Sequence, residues 1–333
     1  MIKRLFGFGS RGARPEADRA PARSMGSDPQ PECPCLRVWD RRADGTPINP
    51  YRYAGDDGSE PSRPIIPLGV ARGPVLMAAI HLWVHERYPA AVIGQDGNPW
   101  LVSEEGDLHV FAASIRHPDG AAQEVYFNAS AVWAALQRDP AAVPTPGDYE
   151  ALAARMLAGE LALDFDWLRR CFATCSAYDP YSGKLATLRK ELGDLVTGGE
   201  PTRAIAMFQG ILPLCLASPL PHALIATAYA DLGDSRSADR HRHLAQALLT
   251  TMQPEPDAGR SVEKAILTLF PFEEYTLLEI WGYRLERQEL NRVGERSLDV
   301  MHVIHRETHE RAVRYFDVTS IISTTQGPPA RTP

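Results

Sequence analysis

The stretch GGEPTRAIAMFQGI at 198–211 is followed by LGDSRSADRHRHLA at 232–245, and the two align at an offset of 34 residues. Gly199, Glu200, Ala204 and Ile211 fall on Gly233, Asp234, Ala238 and Ala245, and Leu195 and Tyr229 keep the same register. Helical hairpins of tetratricopeptide type have this period, with a small residue in the turn and alanines where helices cross closely. The tryptophan usual in that type is missing, and Arg242 stands where an aromatic is usual. Two hairpins cannot bury a free-standing solenoid, so the neighbouring segments must complete the core.

Working outward, DYEALAARMLAGE and DFDWLRRCFATCSA supply two more helical stretches before the proline-bearing turn YDPYSG. Downstream of Pro256 the apolar period changes from 3.6 toward 2. AILTLF is a buried-strand candidate, Pro271 starts a short helix EEYTLLEIW that Gly282 ends, and YRLERQEL, SLDVMHVIH and RAVRYFDV alternate as strands.

Upstream, Val75, Leu76, Ala79, Leu82 and Trp83 form one helical stripe between Gly73-Pro74 and Pro89. The strand-like segments AAVIG, PWLVS, DLHVFAASI and AQEVYFN follow, joined by QDGN, EEGD and HPDG turns. SAVWAALQR, with Ser130 as its N-cap, closes this part. The fold class is therefore α+β. A small helix-plus-antiparallel-meander domain at 65–142 and a linker at 143–147 lead into a helical-repeat body at 148–262, capped by a small antiparallel sheet at 263–320. Residues 1–64, rich in Pro, Gly and Arg, read as a disordered tail in which only LRVWD looks strand-like, and 321–333 reads as a second tail.

DLHVFAASIRHPDGAAQEVYFN and SLDVMHVIHRETHERAVRYFD are both hairpin-like segments ending in Tyr-Phe and then Asn or Asp. A duplicated structural unit explains this. So does convergent hairpin composition, since aromatic and β-branched residues favour strands in any case.

Composition narrows the function. A length of 333 residues suits two domains, and a net charge of -7 argues against a general nucleic-acid binder. Only the start is basic, with Lys3, Arg4, Arg11, Arg14, Arg19 and Arg23 against Glu16 and Asp18. Residues 1–9, MIKRLFGFG, suit a weak membrane or partner contact, too short to anchor alone. No secretory signal and no transmembrane run is evident. Five dispersed cysteines do not make a disulfide framework. The expectation is a cytoplasmic protein.

An ordered series of landmarks runs from DYEAL at Asp148–Leu152 through AGELALDFDWLR, YDPY at Tyr178–Tyr181, LGD at Leu232–Asp234 and EEY at Glu273–Tyr275. It continues with RQEL, ending at Leu290, LDV at Leu298–Val300 and YFDV at Tyr315–Val318. In this order residues 148–320 resemble the bacterial domain of unknown function 4919. The resemblance implies a tetratricopeptide-like helical body with a C-terminal β element, and it implies no reaction. The chain departs from that family where QPEPDAGRS at Gln253–Ser261 replaces a glycine-rich run.

Glu273 and Glu274 are the leading candidate pair. Adjacent carboxylates after a buried strand suit cation binding or acid–base work, and they equally suit the positive end of a helix. With Tyr178, Tyr181 and Tyr275 they form the candidate binding set. His81 and His85 put two imidazoles on one helix face, the spacing zinc uses, without an identifiable third ligand. His302, His305 and His309 fall on a strand and its turn, where alternation separates the first two, and His241 and His243 point apart on a helix. Cys33 and Cys35 lack a second pair, Cys171 and Cys175 share a predicted helix face, and Cys215 sits in an apolar run, so core thiols are expected. No cofactor is implied.

The function read from the sequence is a non-catalytic helical-repeat module that binds another protein or peptide. A metal-dependent hydrolase using Glu273 and Glu274, and an immunity or regulatory protein, are the alternatives.

Overall fold

The computed structural model describes residues 49–94, 100–102 and 108–325, apart from the side chains of 102, 183–189 and 325. Cys33, Cys35, LRVWD and the 1–9 contact lie outside them, as does most of the second tail.

Strands β1 (Tyr53–Gly55) and β2 (Ile65–Pro67) precede helix α1 (Gly73–Arg87), and β3 (Val92–Ile93), β4 (Trp100–Val102), β5 (His109–Arg116), β6 (Ala122–Asn128) and helix α2 (Ser130–Gln137) follow it. The sheet runs β1-β2-β6-β5, and β3 and β4 both pair with β5. It is mixed rather than an antiparallel meander, because β2 joins β6 in parallel through Ile65 and Phe127. The tail read over 1–64 is corrected at its end, since 49–64 carry β1 and a bonded loop. Dense turn residues there fix the loop instead of loosening it. Helix α1 lays Leu76, Ile80, Leu82 and Trp83 on Phe111, Ala113, Ile115 and Phe127. Burying each large apolar side chain contributes roughly 1.5–3 kcal/mol.

The helical layer comprises α3 (Pro146–Ala158), α4 (Phe165–Phe172), α5 (Gly183–Thr197), α6 (Pro201–Cys215), α7 (Pro219–Asp231) and α8 (Ser235–Met252). Thr145 caps α3 and Asp164 caps α4 through side-chain oxygens that accept backbone N–H groups. Helix α3 thus takes over the end of the linker read at 143–147. Helix α4 stops at Phe172, so Cys175 lies in the following turn rather than on a face shared with Cys171. The 34-residue offset is structural: Gly199 and Gly233 end their helices at φ 73° and 77°, and Ala204 and Ala238 are both buried.

The last unit comprises β7 (Ile266–Leu267), α9 (Pro271–Trp281), β8 (Tyr283–Val293), β9 (Arg296–His305), β10 (Arg311–Asp317) and α10 (Thr319–Thr325). Its sheet runs β7-β10-β9-β8. It too is mixed rather than antiparallel, with β7 parallel to β10 through Ile266 and Phe316. The tail read from 321 begins inside α10.

The first and last units are two copies of one design. Leaving aside β1, each runs strand, helix, outer strand (split into β3 and β4 in the first), hairpin, helix, and each pairs the strand before its helix in parallel with its last strand. The match extends to single hydrogen bonds. Asn128 accepts the Ser130 N–H and Asp317 the Thr319 N–H; the Ser130 hydroxyl accepts the His109 N–H and that of Thr319 the Ser297 N–H. Ser130 is therefore the first helical residue, bonded back to β5, and not the N-cap. Gly58 accepts from Tyr126 and donates to Arg63, as Gly259 accepts from Tyr315 and donates to Lys264. Phe127 and Phe316, the aromatics of the two Tyr-Phe endings, are both fully buried.

The first copy is sewn to the helical layer at β2. Leu68 belongs to the core of the helical layer, and the Tyr51 hydroxyl donates to the Pro254 carbonyl at 2.8 Å. Gly69, at φ 73°, lies so close to α8 that a Cβ there would sit 2.1 Å from the Ala247 oxygen.

Candidate functional site

Helix α9 begins at Pro271, whose fixed φ suits a first helical position, and its first turn carries the glutamate pair. Neighbouring positions on a helix point about 100° apart, and here that sends the two carboxylates into different surroundings. Glu273, 1% exposed, receives two hydrogen bonds from the equally buried Arg169 of α4, at 3.1 and 2.9 Å. It also accepts the Leu269 N–H at 2.8 Å. Arg169 completes its fork on the carbonyls of Ala217, at 2.8 Å, and Leu267, at 3.1 Å. Glu273 thereby ties α9 to α4 directly, and to β7 through the Arg169 bond to Leu267.

Glu274 turns toward the second sheet. It is 1% exposed; the Thr268 hydroxyl donates to one oxygen at 3.4 Å, and the other oxygen has no donor. Burial, then the charge of Asp299 on β9 and a carboxyl–carboxylate hydrogen bond to it, push the Glu274 pKa up to about 9. The proton that Glu274 keeps gives its otherwise unpartnered oxygen a hydrogen to donate. Gln288 of β8 donates to Asp299 at 2.6 Å and accepts from the Tyr275 hydroxyl at 2.9 Å. Burial, then the nearby Asp299 and Glu274, raise the Tyr181 pKa. Tyr181 and Tyr275 are 52% and 48% exposed. The register sets Leu290 opposite Asp299, and Leu290 is exposed.

Tyr178 stands apart from this group. Its hydroxyl donates to the Leu269 carbonyl at 2.7 Å and its ring packs edge-on against Phe172 and Phe270. The sequence candidates therefore split into a buried structural set, Tyr178 and Glu273, and an open set, Tyr181, Glu274 and Tyr275. Asp299 and Gln288 were missed. The available signal was a carboxylate on the inward side of SLDVMHVIH, where alternation calls for an apolar residue.

His81 and His85 lie on α1, both partly buried. Among the described residues no three His, Cys, Asp or Glu side chains gather in a way that holds a metal ion. His302 faces Arg287 and Glu289, His305 accepts the Thr308 N–H, and His309 takes φ 58° in the turn. His241, although it diverges from His243, meets His222 of α7 with the two Nδ1 atoms 3.0 Å apart. Burial holds His222 at about 3 and His241 at about 4, so both are neutral at pH 7.

A separate cleft of about 880 Å³ lies between the two copies and α4. Its walls pair their own charges: Arg72 with Glu255, Arg138 with Asp164, Arg170 with Asp166 and Arg296 with Asp317.

The protonated state of Glu274 has a measurable consequence. The unfolded chain ionises this group above about pH 4.5, whereas the fold keeps its proton up to about 9. Folding takes up a proton between these limits, and stability falls as pH rises through that window, by up to about 1.4 kcal/mol per pH unit. Urea titrations of wild type and Glu274→Gln from pH 6 to 9 should show the variant with a flatter profile and greater stability at pH 8. Parallel profiles would exclude a buried carboxylic acid here.

No family model, curated protein or solved structure matches the chain. No helix among the described residues is long and apolar enough to cross a membrane.

Proposed function

We propose that the chain is a non-catalytic protein-interaction module, cytoplasmic and related over 148–320 to the family of unknown function 4919. It docks a partner segment on the face formed by Tyr181, Tyr275, Gln288 and Leu290. One observation carries this reading: two half-exposed tyrosines and an exposed leucine stand around the buried Glu274 and the part-buried Asp299 beside β8, the strand that ends its sheet. Tyrosine joins a large apolar body to a polar tip, which is why it concentrates in the energetic centres of protein interfaces. An open strand edge adds backbone donors and acceptors for an extended segment. The hydrolase alternative loses half of its pair, because Glu273 is engaged by Arg169.

The test is crosslinking and capture with the full chain as bait, comparing wild type with Tyr275→Ala and Leu290→Ser. The expected result is a partner captured by wild type and reduced at least about tenfold by either substitution, the loss of 1.4 kcal/mol or more that a central interface residue produces, with unchanged melting. A partner that ignores both substitutions would overturn the docking face. Turnover of a small molecule by the pure protein, abolished by Glu274→Gln, would overturn the non-catalytic reading.

A further inference from the structure

The geometry points to a guanidinium site: Asp299, with Glu274 beneath it, receives an arginine side chain of the docked segment between the rings of Tyr181 and Tyr275. This rests on the interaction reading and names the chemistry of the partner.

The duplication shows that the acids are not demanded by the fold. The position of Asp299, opposite Phe316 in the ladder, is matched in the first copy by Phe111, opposite Phe127. Phe111 is buried and packs edge-on against Trp100 at 5.4 Å. An aromatic fills the inward position in one copy, and the other puts a carboxylate there against a second carboxyl. Neither acid has an ion-pair partner among the described residues, whereas Glu273, Glu286, Glu289 and Asp317 of the same unit each do. Two carboxyl groups drawn together with no cation among the described side chains make a site complementary to one.

A guanidinium fits better than an ammonium. It is planar, spreads five donors that reach two carboxyl groups at once, and lies over aromatic rings. The molecule already uses such stacking at Arg314 over Tyr283, 4.8 Å from the centroid, and at Arg138 over Trp167, 4.1 Å.

The groups facing Glu274 are Asp299 of β9, Tyr181 of the turn before α5, Thr268 after β7, and Tyr275 and Glu273 on its own helix. Glu273 is already neutralised by Arg169 of α4. When the arginine binds, the proton of Glu274 leaves to solvent and the cation faces two carboxylates. Binding therefore tightens as pH rises, by up to about tenfold per pH unit below pH 9.

The test is calorimetric titration of the full chain with the capped tripeptide Gly-Arg-Gly, its citrulline analogue and Gly-Lys-Gly, in buffers of different ionisation enthalpy at pH 6.5 and 7.5. The expected result is saturable binding of the arginine peptide alone, tighter at the higher pH, with about one proton released per peptide. Asp299→Asn should weaken it at least about tenfold, the loss of one charge-assisted bidentate contact. Glu274→Gln should flatten the pH dependence at unchanged melting temperature or above. Equal binding of the citrulline peptide, equal binding of the lysine peptide, indifference to Asp299→Asn, or no binding at all would each overturn the assignment. The two readings fail separately. A captured partner that needs Tyr275 but ignores Asp299→Asn sinks the arginine site alone. A captured partner that ignores Tyr275 and Leu290, with the tripeptide still bound, sinks the docking face alone.

Discussion

Glu273→Gln is expected to cost the fold about 3–5 kcal/mol, because it leaves the Arg169 guanidinium buried without its counter-charge. The pair is 1% exposed on both sides, so solvent cannot restore what the carboxylate supplied. The Leu269 N–H loses its charged acceptor as well. Urea denaturation should show the midpoint falling with little change in slope. The double change Arg169→Met with Glu273→Leu should be markedly less damaging than the sum of the two single changes, since removing both charges leaves no orphan. A loss below about 1 kcal/mol in the single variant would mean that this pair is not a structural anchor.

Gly69→Ala is the second large effect, expected at about 3 kcal/mol or more. Two costs combine: a left-handed backbone for a residue with a Cβ, about 1–2 kcal/mol, and a collision with the Ala247 carbonyl at 2.1 Å that only a backbone shift relieves. Gly120 is the internal control, since it has φ 87° with nothing within 4 Å of a Cβ. Gly120→Ala should carry only the first cost. Because Leu68 sits in the core of the helical layer, a displaced β2 pulls that side chain out of its socket. Thermal melts of both variants decide the matter, and equal losses would remove the close approach as a determinant.

The helices were legible because their signals are local. Pro74, Pro201, Pro219 and Pro271 mark helix starts, Gly199, Gly233 and Gly282 mark ends, and Ala204 and Ala238, 34 residues apart, are both buried. The pairing partners were not legible, because parallel pairing joins Ile65 to Phe127 and Ile266 to Phe316 across long intervals. The duplication was half visible in the two Tyr-Phe hairpins. Its other half, Asp56, Gly58, Arg63 and Ile65 against Asp257, Gly259, Lys264 and Ile266 at a constant spacing, lay in residues whose Pro, Gly and Ser content suggested a tail. At the site, Glu274, Tyr181 and Tyr275 were legible as candidates, but the partner of Glu274 was not. Adjacency in the chain favoured Glu273, whereas the fold brings in Asp299 from another element.

Arg169 and Glu273 lie 104 residues apart, which bears on how the polypeptide is made. At roughly 5–20 residues per second, a ribosome needs about 5–20 seconds to deliver the glutamate after the arginine. During that interval the helical hairpins can form, while the guanidinium at their centre must stay hydrated and keep the layer from closing. The last unit to emerge is thus the one that lets the earlier helices seal.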